Sequence, residues 1–195
     1  MQAALLVSDS GGYAPRLSVT SLFSNLVTRP TGRAIRTGVE SQIVEMEGAP
    51  APCLSVLDFS QVRILDYSCA DEIVAKLLLR FLGDERPAEA YFLVRGLDEH
   101  HVEPIEAVLE RHGLLLVAQE QGGAIHLLGA TNPVHRATWT ALVRRGRAGP
   151  AEIAPEAGLG EDAVRATLHG FALQRVVLRH EDGTASPLSA LLEGK

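Results

Sequence analysis

The sequence predicts an α/β fold over its first two thirds and a small, mostly helical domain after it. Short apolar runs at 54–59 and 91–95 are typical of buried strands, and stretches with helical spacing of apolar residues separate them. Nearly continuous apolar strands between helices favour a parallel or mixed sheet with helical cover. At 131–133 this alternation gives way to helical spacing. We therefore predict domains at 1–130 and 134–195.

The elements of the first domain follow from the spacing of its apolar residues. Ile35, Val39 and Ile43 recur at helical spacing after Pro30, which fits the start of a helix. The predicted strands are 3–7, 16–19, 54–59, 91–95, 114–117 and 124–128, and the predicted helices are 31–45, 69–82 and 98–112. We expect the first two strands to pair with each other.

Polar residues that follow the strand at 54–59 mark the start of the next helix. Ser68 is a good N-cap residue, and Asp71 three residues later gives an S-x-x-D form of the capping box. Asp71 and Glu72 then occupy the first turn, where carboxylates interact favourably with the helix dipole. Because they are adjacent, we do not expect them to share a helix face. Their alternative role is a polar contact to a partner or to Arg95.

The segment LDFSQVRILDYSCADEIVAKLL, residues 57–78, resembles the central motif of STAS-like domains, the bacterial group related to anti-sigma-factor antagonists. In the antagonists an apolar strand is followed by roughly D-S-S-G and then a helix. Asp66-Tyr67-Ser68-Cys69 occupies that position here, with Tyr67 and Cys69 as departures. The resemblance extends over about residues 26–118.

This resemblance implies a STAS-like mixed sheet with helical cover. Ser68 matches the serine that the antagonists use as a phosphorylation switch. The implied partner is a regulatory protein, such as an anti-sigma-type ATP-binding kinase. The implied partner-binding or phosphorylation residues are Asp66, Ser68, Asp71 and Glu72.

Arginines offer a second set of contacts. The stretch TRPTGRAIR, residues 28–36, is similar to a stretch in STAS-like proteins and places Arg33 and Arg36 three apart on a helix. Arg95 closes a predicted strand, and ligands of open α/β sheets gather beyond the carboxyl ends of strands. Arg33, Arg36 and Arg95 are therefore candidate anion or partner contacts. A solvated helix face and a surface salt bridge are the simpler interpretations.

The second domain is predicted to contain three helices and a hairpin. Helices at 135–145 and 161–174 flank a helix that is short or begins near Pro155, because proline disrupts a helix interior. A strand at 176–179 then leads into an Asp-Gly turn signal at 182–183.

This order resembles a winged helix-turn-helix, on the residues EIA at 152–154, AGL at 157–159, VR at 164–165, Leu168 and the strand at 176–179. The resemblance implies a small C-terminal winged-helix domain that binds DNA or docks to protein. The candidate DNA contacts are Arg144, Arg145, Arg165 and His169. Arg144 and Arg145 equally suit the last turn of a helix, where the dipole attracts cations.

Composition and charge bear on whether the chain is a membrane protein, a secreted protein or a nucleic-acid-binding protein. With 46% hydrophobic and 22% charged residues the chain is globular, and no apolar run approaches the roughly 18 residues of a membrane span. Its N-terminus does not resemble a signal peptide, so we expect a cytoplasmic protein. Residues 134–195 carry eight basic and seven acidic residues, whereas the rest carries ten and seventeen. Bulk charge therefore disfavours nucleic-acid binding only for the first domain.

No motif for catalysis or a bound cofactor is present. Cys53 and Cys69 read as free thiols, although a thiol at a helix start can have a lowered pKa. His100 and His101 lack the i, i+4 spacing of a metal site and suit a solvated first helical turn. There is no phosphate-binding loop and no G-x-S-x-G sequence. We expect no enzyme activity, no cofactor and no metal.

The sequence thus predicts a bacterial regulatory protein that acts by partner switching through the STAS-like domain. The alternative is a DNA-binding transcriptional regulator in which that domain is the sensor.

Overall fold

A computed structural model describes the strand Leu6–Val7 and residues 16–46 and 53–193. The elements in chain order are β1 (Leu6–Val7), β2 (Arg16–Leu26), α1 (Arg29–Glu45), β3 (Cys53–Leu65), α2 (Tyr67–Ala70, continued by the π-helical turn Asp71–Ala75 and by Lys76–Leu82), β4 (Ala90–Arg95), α3 (Glu99–Arg111), β5 (Leu115–Gln119), β6 (Ile125–Gly129), α4 (Pro133–Arg145), α5 (Pro150–Ala157), α6 (Glu161–Leu173), β7 (Val177–His180), β8 (Ala185–Pro187) and α7 (Ala190–Glu193).

The described residues form two compact units. The first unit runs to Ala130, and the second comprises the residues after it together with β1. Residues 3–5 of the predicted strand at 3–7 lie outside the described residues. For Leu6 and Val7 the predicted pairing with the strand at 16–19 is wrong, because they pair in parallel with Arg179 and His180 of β7. A short apolar run does not specify its partner, since any sheet edge with a compatible register accepts it.

The first unit is a mixed α/β structure, as predicted. Its five strands lie in the order β2-β3-β4-β5-β6. The first four are mutually parallel, and only β6 runs antiparallel to its neighbour β5. Helices α1, α2 and α3 make the crossovers that parallel strands require.

Strands β2 and β3 are longer than predicted. Beyond Asp58, β3 no longer pairs with β4 and keeps only β2 as a neighbour. In this extension Val62 and Leu65 are buried while Gln61 and Arg63 are exposed. The strand therefore changes from a fully buried run to a half-exposed one, and the end of the apolar run is not the end of the strand.

The main core lies where the helices pack on the sheet. Phe81 of α2 meets Phe92 of β4 edge-on, with ring centroids 5.2 Å apart. Val39 and Ile43 of α1 join the same cluster, as their helical spacing predicts. None of the helices in the described ranges is both long and apolar enough to cross a lipid bilayer.

The second unit packs three helices against a small sheet of order β1-β7-β8. Trp139 and Phe171 meet edge-on at 6.0 Å in its core. The predicted hairpin is present, with Gly183 at φ 83° in the turn. Ala148, between α4 and α5, forms an antiparallel bridge with Ala185 of the hairpin. Helix α5 begins at Pro150 and contains Pro155, so it is short but starts earlier than Pro155.

Candidate functional site

Asp66, and not Ser68, caps helix α2. The Asp66 Oδ1 atom accepts a hydrogen bond from the Cys69 amide at 2.8 Å, and the Ser68 hydroxyl also donates to Oδ1, at 2.9 Å. The predicted Ser68 cap is therefore wrong by two residues. A carboxylate at the cap makes charge-assisted bonds and interacts with the positive end of the helix, so it is favoured over a hydroxyl.

Three exposed apolar side chains lie within two residues of the hydrogen bond that joins the ends of β2 and β3, close in sequence to Ser68. The Asp66 amide donates to the Leu26 carbonyl at 2.9 Å, which joins the ends of β2 and β3. Val27 and Tyr67 follow directly after these two residues and are 44% and 52% exposed. Ile64, at the end of β3, is 51% exposed, and Ser68 itself is half-buried. We call Val27, Ile64, Tyr67 and Ser68 the Ser68 surface.

Tyr67 is fixed in place although its ring is exposed. Its hydroxyl donates to Glu103 Oε1 on α3 at 2.8 Å. This hydrogen bond to a carboxylate, together with desolvation, raises the pKa of Tyr67. An oriented, exposed aromatic ring costs little side-chain entropy when another protein covers it, and for this reason tyrosine is common in interfaces.

Cys69 points inward and is not a reactive thiol. Its Sγ atom donates to the Thr28 carbonyl at 2.9 Å. Burial raises the pKa of Cys69, so the lowered pKa that a position near a helix start can produce is not found here. Cys53 is also buried, and burial raises its pKa as well.

Asp71 and Glu72 are buried and share cations, although as neighbours in the first turn they were not expected to share a helix face. Arg29 Nη1 lies 2.8 Å from Asp71 Oδ2 and 3.0 Å from Glu72 Oε1. Lys76 also contacts both carboxylates. The two acids belong to the π-helical turn, whose wider spacing changes which side chains are neighbours.

Two further side chains complete this group. Arg36 Nε lies 3.4 Å from Glu72 Oε2 and also pairs with Glu40. His112 Nε2 lies 3.2 Å from Asp71 Oδ1. We call Arg29, Arg36, Asp71, Glu72, Lys76 and His112 the ionic cluster. Arg36 is thus shared between Glu72 and Glu40, and its role as an anion or partner contact stays a prediction.

The cluster also sets the acid titration of its carboxylates. Burial alone would raise the pKa of Asp71 and of Glu72, but hydrogen bonds from Arg29 and Lys76 to both outweigh it, and His112 adds to the effect on Asp71. The pKa of each therefore lies below its ordinary value.

We expect the first unit to lose stability as the pH falls below about 4.5, the ordinary value for Glu72. A carboxyl group whose pKa is lowered by folding contributes stability above its unfolded pKa and loses it as the folded form takes up the proton. Urea unfolding across a pH series should therefore show an acid limb. The Asp71→Asn, Glu72→Gln double variant should flatten that limb, and an unchanged limb would contradict this assignment.

Arg33 and Arg95 lie in separate places. Arg33 is exposed and lines a shallow groove on α1 with Pro30 and Thr37. Arg95 binds Asp58, with Nε and Nη2 at 2.9 and 2.8 Å from Oδ2. The predicted alternative contact between Arg95 and the two acids of α2 is therefore wrong. Parallel pairing of β3 and β4 places Arg95 directly beside Asp58 and explains this choice.

The adjacent histidines do not form a site. His101 is only 1% exposed, and its Nδ1 atom accepts a hydrogen bond from the Asp98 amide at 3.2 Å. The prediction of a solvated turn is wrong for His101, which acts in a capping box, but His100 is exposed. Within the described ranges, no group of three or more His, Cys, Asp or Glu side chains is arranged to hold a metal ion.

The four candidate DNA contacts of the second unit are largely engaged. Arg145 Nε lies 2.8 Å from Glu156, and Arg144 lies 3.5 Å from the same carboxylate. Arg165 pairs with Glu161 one helical turn earlier. The i, i+4 spacing of this last pair is visible in the sequence. His169 lies 3.4 Å from Arg179 of the hairpin.

Comparison with known proteins does not assign the chain to a family. No protein-family model matches it, and neither a curated protein nor a solved structure matches it.

Proposed function

We propose that this chain is a non-enzymatic bacterial regulatory protein of the cytoplasm that works by partner switching. Its first unit, a STAS-like domain by resemblance, binds a regulatory protein through the Ser68 surface. Its second unit, a winged-helix domain by resemblance, docks to protein or DNA. The observation that carries the proposal is that Val27, Ile64 and Tyr67, all exposed, lie within two residues of the Leu26–Asp66 hydrogen bond, next to the half-buried Ser68.

The distribution of exposed apolar side chains supports this choice of surface. Seven large hydrophobic side chains are exposed among the described residues, and Val27, Ile64 and Tyr67 lie within two residues of the Leu26–Asp66 hydrogen bond. Single exposed apolar residues are ordinary, whereas a group at one point marks an interaction site.

Phosphorylation of Ser68 would act directly on this surface. The Ser68 oxygen would attack the γ-phosphorus of ATP bound to the partner, ADP would leave, and Asp66 is placed to take the hydroxyl proton. The product carries a charge of about −1.5 to −2 where the hydroxyl now donates to a carboxylate. The phosphate would be repelled by Asp66 and would draw water to the apolar side chains of the Ser68 surface. Both effects would weaken the complex with the partner. The inferred partner is an anti-sigma-type ATP-binding kinase.

We expect Tyr67→Ser and Ser68→Glu each to weaken partner binding by about tenfold or more. The first removes an exposed aromatic contact, and the second places a charge against the interface. Leu79→Ser is the matched control, because Leu79 is also exposed and apolar but lies outside the Ser68 surface. Affinity capture from a bacterial lysate, followed by titration with the purified partner, measures the change. Equal loss in the control would remove the Ser68 surface from the proposal.

The switch has its own test. Addition of ATP to the complex should release the unsubstituted protein and leave Ser68→Ala bound. If the unsubstituted protein and Ser68→Ala respond to ATP in the same way, the Ser68 switch is wrong. Partner binding itself is tested separately, by the titration with the purified partner.

A DNA-binding transcriptional regulator is the second candidate. The order of helix α6 and the hairpin β7-β8, with the Ala148 bridge, favours it. The ion pairs of Arg144, Arg145 and Arg165 weigh against it. This candidate requires affinity for sheared genomic DNA that falls steeply with salt and falls again in Arg165→Ala or in Arg144→Ala, Arg145→Ala. Absence of binding at low salt would leave the second unit as a protein-docking module.

A further inference from the structure

A concave groove separates helix α6 from the β7-β8 hairpin in the second unit. Its volume is about 560 Å³, within the range of roughly 300–1,000 Å³ that is typical of small-molecule sites. The apolar part of its lining consists of Pro150, Ala166, Leu168 and Ala185. The polar part consists of Asp162, Arg165, His169, Arg179 and Thr184.

Arg179 is the one arginine of this lining that no carboxylate contacts in the described part of the chain. Its Nη1 atom lies 3.4 Å from His169 Nδ1, so two nitrogen-bearing side chains meet across the groove. Arg165, in contrast, is paired with Glu161. The groove therefore contains one uncompensated guanidinium beside an imidazole and a set of small apolar surfaces.

The hairpin wall of the groove is held in shape. Arg147 donates to Asp182 Oδ2 at 3.0 Å and to the Thr184 hydroxyl at 2.9 Å. Hydrogen bonds from Thr184, more than from Arg147, lower the pKa of Asp182 to about 2. The turn that carries Gly183 and Thr184 is thus tied to the loop before α5, and the groove does not need a ligand to form.

We propose that this groove binds a small organic anion with one carboxylate and a compact apolar body. Arg179 would bind the carboxylate in its planar fork with His169 beside it, and the apolar body would lie on Ala166, Leu168 and Pro150. A polyanion fits less well, because the Asp162 carboxylate also lines the groove and would repel additional negative charge. This site is independent of the Ser68 surface and would make the second unit a ligand sensor.

Titration of the full chain with benzoate, followed by amide chemical shifts, tests the site. We expect saturable shifts at His169, Arg179 and Thr184, and weaker or no shifts with benzyl alcohol and benzylammonium. Arg179→Ala should weaken benzoate binding by about tenfold, as expected for loss of a charge-assisted pair. Arg136→Ala is the matched control, since Arg136 is exposed in the same unit and lies outside the groove lining.

A second variant keeps the test independent of the hairpin's folding. Ala166→Phe fills the groove from the exposed side of α6 and leaves the hairpin sequence unchanged, and it should also abolish the benzoate shifts. Benzoate shifts that do not saturate, or that survive both Arg179→Ala and Ala166→Phe, would overturn the proposal. So would a short DNA duplex that produces the same shifts at lower concentration than benzoate, because the groove would then be a nucleic-acid contact.

Discussion

Replacement of Glu72 by alanine is expected to destabilise the first unit by about 3 kcal/mol. Glu72 is fully buried and binds Arg29, Lys76 and Arg36, which come from two helices. Removal of one partner of a buried ion pair leaves the other charges uncompensated, and that penalty is the main cost. Partial exposure of the three cations lets them regain water, so the loss stays below the upper end of the range.

Glu40→Ala is the matched control for this prediction. Glu40 also pairs with Arg36, at 2.7 Å, but as a part-exposed i, i+4 contact on α1. Such pairs contribute about 0.3–0.5 kcal/mol, so the control should lie close to the unsubstituted protein. Amide hydrogen exchange in β4 measures the first unit directly. Similar losses for the two variants would show that the buried position of Glu72 carries no special cost.

Local periodicity was sufficient for much of this fold. The strands β4 and β5 could be predicted from short continuous apolar runs, and the helices α1, α4 and α6 from apolar residues at helical spacing. The start of α2 shows where this fails. Asp66 and Ser68 are both good caps, and the structure also joins the Asp66 amide to the carbonyl of Leu26, forty residues earlier. Sequence neighbours carry no information about that bond.

The candidate sites depend even more on distant contacts. The sequence around Glu72 gives no sign that this carboxylate is buried, because its partners Arg29 and Arg36 lie on α1. Exposure of Ile64 follows from the extension of β3 beyond β4, which no local pattern marks. The pair Arg165–Glu161 is the exception, because its spacing on one helix is enough to predict it. Contacts within a helix are thus predictable, whereas contacts between elements need the topology first.

Substitution of Gly129 by alanine is expected to have the largest effect of all, a loss of more than about 4 kcal/mol that can prevent folding of the first unit. Gly129 ends β6 with φ 96°, where L-residues are strained. A Cβ atom there would overlap the Leu114 carbonyl oxygen and lie 2.7 Å from Leu109 Cβ. That carbonyl accepts the Ala130 amide at 3.0 Å, so the bond that closes the β5-β6 edge would be displaced together with a core leucine.

Gly123→Ala separates the steric cost from the conformational one. Gly123 has a similar φ of 86° in the β5-β6 turn, but a Cβ atom there meets nothing within 4 Å. Its cost should be the backbone strain alone, about 1–2 kcal/mol. Soluble expression and thermal unfolding of the two variants give the comparison. If Gly129→Ala loses no more stability than Gly123→Ala, Leu114 and Leu109 can shift at little cost to make room for the Cβ atom. Close packing at this edge would then not explain why position 129 is a glycine.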